Sequence, residues 1–247
     1  KDGIKSWEKI AWQSLATVIA LGILLWHDFM FSCMSYPSDR AFLADVRTEI
    51  TQQVRRLSHH ASIALWCGDN EVIGSLTWYP ETKANRDLYL VNYDRLNAML
   101  GSIVEDEDPG RRFWPSSPSM GYLDFSDGWQ MDTRGDTHYW SVWHSAKDFS
   151  AYREVNPRFA SEFGFQSFTS MNVIETFSAP EDRNPSSPVM ESHQRNTGGN
   201  ARIVETMLRG IQPVLRDNDL DQAERLRQMD DVVDGLYTAI KLYLTRI

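Results

Sequence analysis

Two glutamates in this sequence stand where carboxylates are costly to place. Glu71 follows the apolar run 61–67 through Gly68-Asp69-Asn70, and Glu162 lies within Arg158-Phe159-Ala160-Ser161-Glu162-Phe163-Gly164. A carboxylate at the end of a buried strand loses hydration, and it persists there when it is paired or put to use. One such group can give or take a proton while a second, across the same cleft, attacks carbon. That is the chemistry of glycoside cleavage. The same positions also suit ordinary salt bridges at the lip of a sheet, and spacing alone does not separate the two readings.

The elements that would position the pair follow from hydrophobic periodicity. Residues 5–20 carry Trp7, Ile10, Ala11, Leu15, Val18 and Ile19 at helical spacing, and a strand from Leu21 ends in Trp26-His27-Asp28. Ser38 is a candidate cap for a helix with the stripe Phe42, Val46, Ile50, Val54 and Leu57. Strand 62–67 comes next. A long loop, 75–87, leads to a helix with Tyr93, Leu96, Met99, Leu100 and Ile103. Short strands are expected at 112–114, 138–143 and 158–163, with a helical patch at 146–153 between the last two. Residues 178–200, rich in Pro, Ser, Asn and Gly, read as a surface loop. Helix 201–209 should end at Gly210, and a last helix should start at Asp219.

Five short apolar strands alternating with helices imply parallel pairing with helical crossovers. Polar residues gather after the strands' C-terminal ends, the layout of a (β/α) barrel with its chemistry on that face. The fold class is therefore α/β, of (β/α)8 TIM-barrel type but incomplete. The chain is read as one partial barrel domain spanning residues 1–247, ending before an eighth strand.

Composition narrows the function. The net charge of −9 argues against a nucleic-acid partner. The uncharged run 10–26 contains Gln13 and Ser14 and is interrupted at Gly22, so it reads as helix, turn and strand, and no membrane association is expected. Cys33 and Cys67 are expected as free thiols. The phosphate-loop, dinucleotide, zinc-protease and nucleophile-elbow motifs are all missing, and no cofactor or metal is expected. Asp217-Asn218-Asp219-Leu220-Asp221 lacks the Gly and Glu that a calcium loop needs.

Longer stretches carry a family likeness. Trp66-Cys67-Gly68-Asp69-Asn70-Glu71 resembles the acid/base motif of glycoside hydrolase family 2, and Ser161-Glu162-Phe163-Gly164-Phe165-Gln166-Ser167 resembles its nucleophile motif. The branch it resembles most is the β-mannosidases. Trp26-His27-Asp28-Phe29-Met30-Phe31, residues 113–119, residues 135–144, and His193-Gln194-Arg195-Asn196 followed by Gly199-Asn200 agree with that branch. The likeness covers about residues 21–209.

The resemblance implies that the five strands are barrel strands three to seven. It implies a retaining exo-β-mannosidase that releases terminal β-mannose from an oligosaccharide or glycoside. Glu162 would be the nucleophile. Glu71 would be the acid/base, protonated when it acts as acid while Glu162 stays ionised. Asn70 would bind the sugar 2-hydroxyl. Trp66, Trp78 and Trp143 are candidates for stacking on the sugar, and Asp28 and His144 for binding hydroxyls or orienting a glutamate. A β-glucuronidase or β-galactosidase specificity is the near alternative, and an inactive or merely sugar-binding barrel piece the distant one. A bacterial cytoplasm or periplasm is the expected compartment.

Overall fold

The structure is a computed structural model and describes residues 24–122, 124–125, 132–217, 221 and 224. The helix expected at 5–20, the turn at Gly22 and the helix expected from Asp219 lie outside these residues. The described residues form two compact units, one ending at Phe165 and the other beginning at Gln166.

In the first unit, strands β1 (Leu25–Asp28), β2 (Ile63–Cys67) and β3 (Arg112–Trp114) make a parallel sheet in the order β1-β2-β3. The register sets Asp28 beside Cys67, and Cys67 beside Trp114, so all three strands end level. The crossover helices are α1 (Arg40–Leu57) and α4 (Arg86–Glu107), with one-turn helices α2 (Val72–Ser75) and α3 (Pro80–Ala84) between β2 and α4. α1 forms where the sequence places its stripe, and Val46, Ile50, Val54 and Leu57 are buried. Its cap is Asp39 rather than Ser38. The Asp39 carboxylate accepts from the backbone N–H groups of Ala41 and Phe42 at 3.0 and 3.1 Å. The Ser38 hydroxyl donates instead to Asn92 Oδ1 at 2.7 Å.

On α4, Leu96, Leu100, Ile103 and Val104 pack with the α1 stripe, Ile63 and Trp66 into one core cluster. Burying each such aliphatic side chain is worth roughly 1.5–3 kcal/mol. Arg111 fastens the ends of this layer. It donates to the carbonyls of Ser58, His60 and Ile63 and to Asp108, whose other donor is the Trp66 indole N–H at 2.9 Å.

Strands β4 (Thr137–Tyr139) and β5 (Ala160–Phe163) pair in parallel as a second sheet, with His138 in register with Glu162. Behind it lies the small cluster of Tyr139, Val142 and Ala151. The Trp26 and Phe159 rings stack at 5.2 Å, bringing β1 to the start of β5. The strand expected at 138–143 stops at Tyr139, and Ser141–His144 forms a helical turn, α5, with His144 N–H bonded to Trp140 O at 2.7 Å. A single turn that buries Val142 and Trp143 is too short for its periodicity to differ from a strand's.

The second unit is helical: α6 (Met171–Ile174), α7 (Pro188–Ser192) and α8 (Gly199–Asp217), with a 3-10 turn at Pro180–Asp182. The expected surface loop 178–200 therefore contains two short helical segments. Both begin at prolines, which are preset for a first helical position. The Ser187 hydroxyl caps α7 by accepting from Met190 N–H at 3.1 Å. α8 does not end at Gly210 but runs on through Pro213 to Asp217. The expected loop 75–87 is also corrected, because Pro80 starts α3 within it. No helix among the described residues is long and apolar enough to cross a membrane.

Candidate active site

The site is built where strands stop pairing as sheets and continue as single bridges. Asn70 forms parallel bridges to Ser32 on one side and to Ser117 on the other. Asn70 N–H donates to Phe31 O, Cys33 N–H to Asn70 O, and Glu71 N–H to Ser117 O at 2.7 Å. These bonds hold Glu71 in left-handed backbone geometry, φ 60° and ψ 16°, and Cys33 opposite it at φ 55°. A non-glycine residue there stores on the order of 1–3 kcal/mol and persists only where its surroundings fix it. Asp69 contributes by accepting from Val72 N–H at 3.1 Å, starting α2 straight after Glu71. Asp69 is fully buried, and desolvation pushes its carboxyl up to about 7, although Ser116 and Val72 donate to it. Gly68 is required by close approach, since a Cβ there would overlap Pro115 O and the Asn97 amide.

Glu71 then faces across to the second sheet. Its Oε1 is 2.8 Å from His138 Nδ1, and the same ring nitrogen is 3.4 Å from Glu162 Oε2. One donor atom from each of Glu71, His138 and Glu162 all lie within 4.8 Å of one another. The Trp140 indole N–H donates to Glu162 Oε2 at 3.0 Å. The Cys33 thiol donates to Glu71 Oε2 at 3.4 Å, and burial together with the Glu71 charge pushes that thiol up to about 11. Both cysteines are free. The Glu71 side chain is 12% exposed and that of Glu162 36%. A cleft of about 560 Å3 opens over Glu71 and His138, lined also by Trp78, Trp140, Ser141 and His144; Glu162 adjoins it through its bond to the Trp140 indole.

Carboxylate and imidazole are also ligand types for a divalent ion. Donors around a tetrahedral ion at about 2.1 Å stand roughly 3.4 Å apart. The 2.8 Å between Nδ1 and Glu71 Oε1 is instead a hydrogen-bond distance. The contact of the same nitrogen with Glu162 Oε2, at 3.4 Å, has the wider spacing.

Of the other residues singled out from the sequence, Trp78 and His144 line the cleft. Asn70 adjoins it, its amide N–H reaching Cys33 Sγ while its Oδ1 is buried with no partner. Asp28 accepts from the Trp26 indole at 2.8 Å and lies near enough to His138 and Asp136 for their charges to bear on its titration. The expectation for two tryptophans is corrected. Trp66 is fully buried with its N–H on Asp108, and Trp143 is buried edge-on against Phe165, so neither ring is open to a ligand. The sequence reading passed over His138, Trp140, Ser117, Asp136 and Cys33. The signal for His138 was the polar residue inside an apolar run, 138–143, that was read only as a strand.

The chain matches β-mannosidases along most of its length. It is 32% identical over 235 residues to a β-mannosidase of Capra hircus, aligning 92% of this chain with 25% of that protein. It is 33% identical over 201 residues to β-mannosidase B of Aspergillus fumigatus, covering 77% of this chain and 23% of the relative. The chain is related to the β-mannosidases. It spans about a quarter of the length of these curated relatives. The crystal structure of a β-D-mannosidase from Dictyoglomus thermophilum superposes with a TM-score of 0.64 at 35% identity, over 77% of this chain and 22% of that one. No family model matches the sequence.

Proposed function

We propose that the chain is the catalytic part of a retaining exo-β-mannosidase, acting on a terminal β-mannoside of an oligosaccharide or glycoside. The observation that carries the reading is the meeting of Glu71 and Glu162 around His138, with their donor atoms within 4.8 Å. Retaining enzymes hold their two carboxyl groups about 5–5.5 Å apart, whereas inverting ones need about 6.5–9.5 Å to admit a water. The kinship with β-mannosidases supplies the sugar.

Glu162 attacks the anomeric carbon as the bond to the leaving oxygen breaks, and that oxygen takes a proton from Glu71. Glu71, now ionised, takes a proton from water. The water oxygen bonds to the anomeric carbon, the ester to Glu162 breaks, and both glutamates return to their starting states. Asn70, next to Glu71, is the residue assigned to the sugar 2-hydroxyl in this reading. Trp78, 43% exposed at the cleft, offers a stacking face, and His144, which lines the same cleft, offers hydroxyl contacts. Asp28, at the end of β1, is the further candidate for a hydroxyl. No cofactor takes part. In this reading β1 to β5 are barrel strands three to seven, and the chain as a whole belongs to one partial barrel domain.

The test is hydrolysis of a panel of aryl glycosides by the chain and by Glu71→Ala and Glu162→Ala, with the product anomer followed by proton NMR. The β-mannoside should be cleaved fastest with β-mannose formed first, and each variant should lose at least ~10³-fold. Preference for the β-glucuronide or β-galactoside would move the specificity. Unchanged turnover in either variant would remove the assignment.

A further inference from the structure

The buried side of His138 carries a hydrogen-bond chain that the roles of Glu71 and Glu162 do not by themselves require. His138 Nε2 is 2.9 Å from Ser117 Oγ, and Ser117 Oγ is 2.6 Å from Asp136 Oδ2. Asp136 is buried and is also approached by Ser161 Oγ at 2.6 Å, the Trp114 indole N–H at 3.0 Å and Ser119 N–H at 2.9 Å. A carboxylate met by four donors is an acceptor at each of them. The one hydroxyl proton of Ser117 therefore goes to Asp136, along its shortest contact. The hydrogen between Ser117 and His138 must then come from the ring, so Nε2 carries a proton and donates to Ser117 Oγ.

That fixes what Nδ1 can be. It stands 2.8 Å from Glu71 Oε1, and two bare acceptors do not sit at that distance. One further proton must lie between them, on Glu71 as a neutral acid or on His138 as an imidazolium. Either way the pair holds it as one unit. Among the described residues, the charged or titratable groups around the ring include Glu71, Glu162 at 3.4 Å, Asp136 behind Ser117, and Asp28 at longer range. Cys33 reaches the far oxygen of Glu71 as a thiol donor, and Oε1 is the oxygen that faces the ring.

We propose that His138 is a positioning residue which, oriented by Ser117 and Asp136, holds jointly with Glu71 the proton that the leaving oxygen receives. When that proton departs, the imidazole keeps Nε2–H and is neutral, and Glu71 is left as the carboxylate that deprotonates water. When water gives its proton back, the pair is restored. No proton is lost or gained over the cycle. The proposal rests on the glycosidase reading for the identity of the proton's acceptor, but the protonation of the ring stands on the geometry alone.

Two measurements separate these. The first compares wild type, His138→Asn and Ser117→Ala on methyl β-mannoside, whose leaving group needs a proton, and on 2,4-dinitrophenyl β-mannoside, whose leaving group departs as an anion. His138→Asn should lower kcat/KM about 100-fold on the first substrate and less than about fivefold on the second. Ser117→Ala should give the same pattern at roughly a tenth of the size. Equal losses on both substrates would overturn the proposal while leaving the glycosidase reading intact, and a wild type inactive on both would remove that reading. The second measurement is nitrogen NMR of the 15N-histidine-labelled chain. It should show His138 protonated at Nε2 in wild type whether or not the chain turns over sugar. A ring with Nε2 bare would overturn the proposal.

Discussion

Glu71 and Glu162 are carried by sheets of very different build. The sheet before Glu71 is backed by a continuous cluster that includes Phe29, Ile50, Val54, Trp66, Leu100 and Ile103, with Arg111 tying its carbonyls together. Among the described residues, the sheet that contains Glu162 has two strands, and the buried cluster behind it is Tyr139, Val142 and Ala151. What links them at the site is polar: the Ser117–Asp136–Ser161 hydrogen bonds and the His138 ring between the two carboxylates. Apolar burial supplies stability in proportion to area, without direction. Hydrogen bonds supply direction, and they aim the two glutamates at one point. The fold and the site are therefore sensitive to different substitutions.

Leu100→Ala should produce the largest stability loss, about 2–5 kcal/mol by urea denaturation, because it opens a cavity at a fully buried position on α4. Val142→Ala, also buried but in the small cluster, should cost about 1–2 kcal/mol. Equal costs would erase the distinction between the sheets.

Asp69 gives the first sheet a pH dependence of its own. Its folded value, about 7, lies above that of the unfolded chain. Below about pH 4 both states hold the proton. Between there and pH 7 only the folded state does, so stability falls as pH rises, by at most ~1.4 kcal/mol per unit, and then levels off. Denaturation midpoints measured from pH 4 to 8 should show this decline in wild type and a flatter line in Asp69→Asn. An identical slope in both would assign the dependence to other groups.

The smallest effect is expected at Trp140. Trp140→Phe removes the indole donor to Glu162 Oε2 and should lower kcat about tenfold, with stability little changed, as read by steady-state kinetics beside a melting curve. A stability loss with full activity would make Trp140 part of the packing instead.

Much of this was legible in the sequence, and unevenly so. The α1 stripe and β3 were readable because periodicity and strand length are local properties. The glutamate motifs were readable because Glu71 comes shortly after the apolar β2 and Glu162 lies within the short β5. The shared cap geometry hid Asp39 behind Ser38, since either side chain could have served. Trp66 and Trp143 looked like ligand platforms because composition does not tell which face of a strand or turn is inward. His138 was missed for the same reason: its meaning depends on Ser117 and Asp136, 21 and 2 residues away, and on a register that sets it beside Glu162. Hydrogen-bond networks assembled from several strand ends leave no periodic trace in a chain.

The central claim is that Glu162 is the nucleophile of a retaining β-glycosidase. Incubating the chain with a 2-deoxy-2-fluoro-β-mannosyl fluoride and mapping the product by peptide mass spectrometry tests it most directly. The account predicts one fluoromannosyl group, on the peptide containing Ser161-Glu162-Phe163, and none in Glu162→Ala. A label on another residue, or an unlabelled chain that still turns over the aryl mannoside, would contradict it.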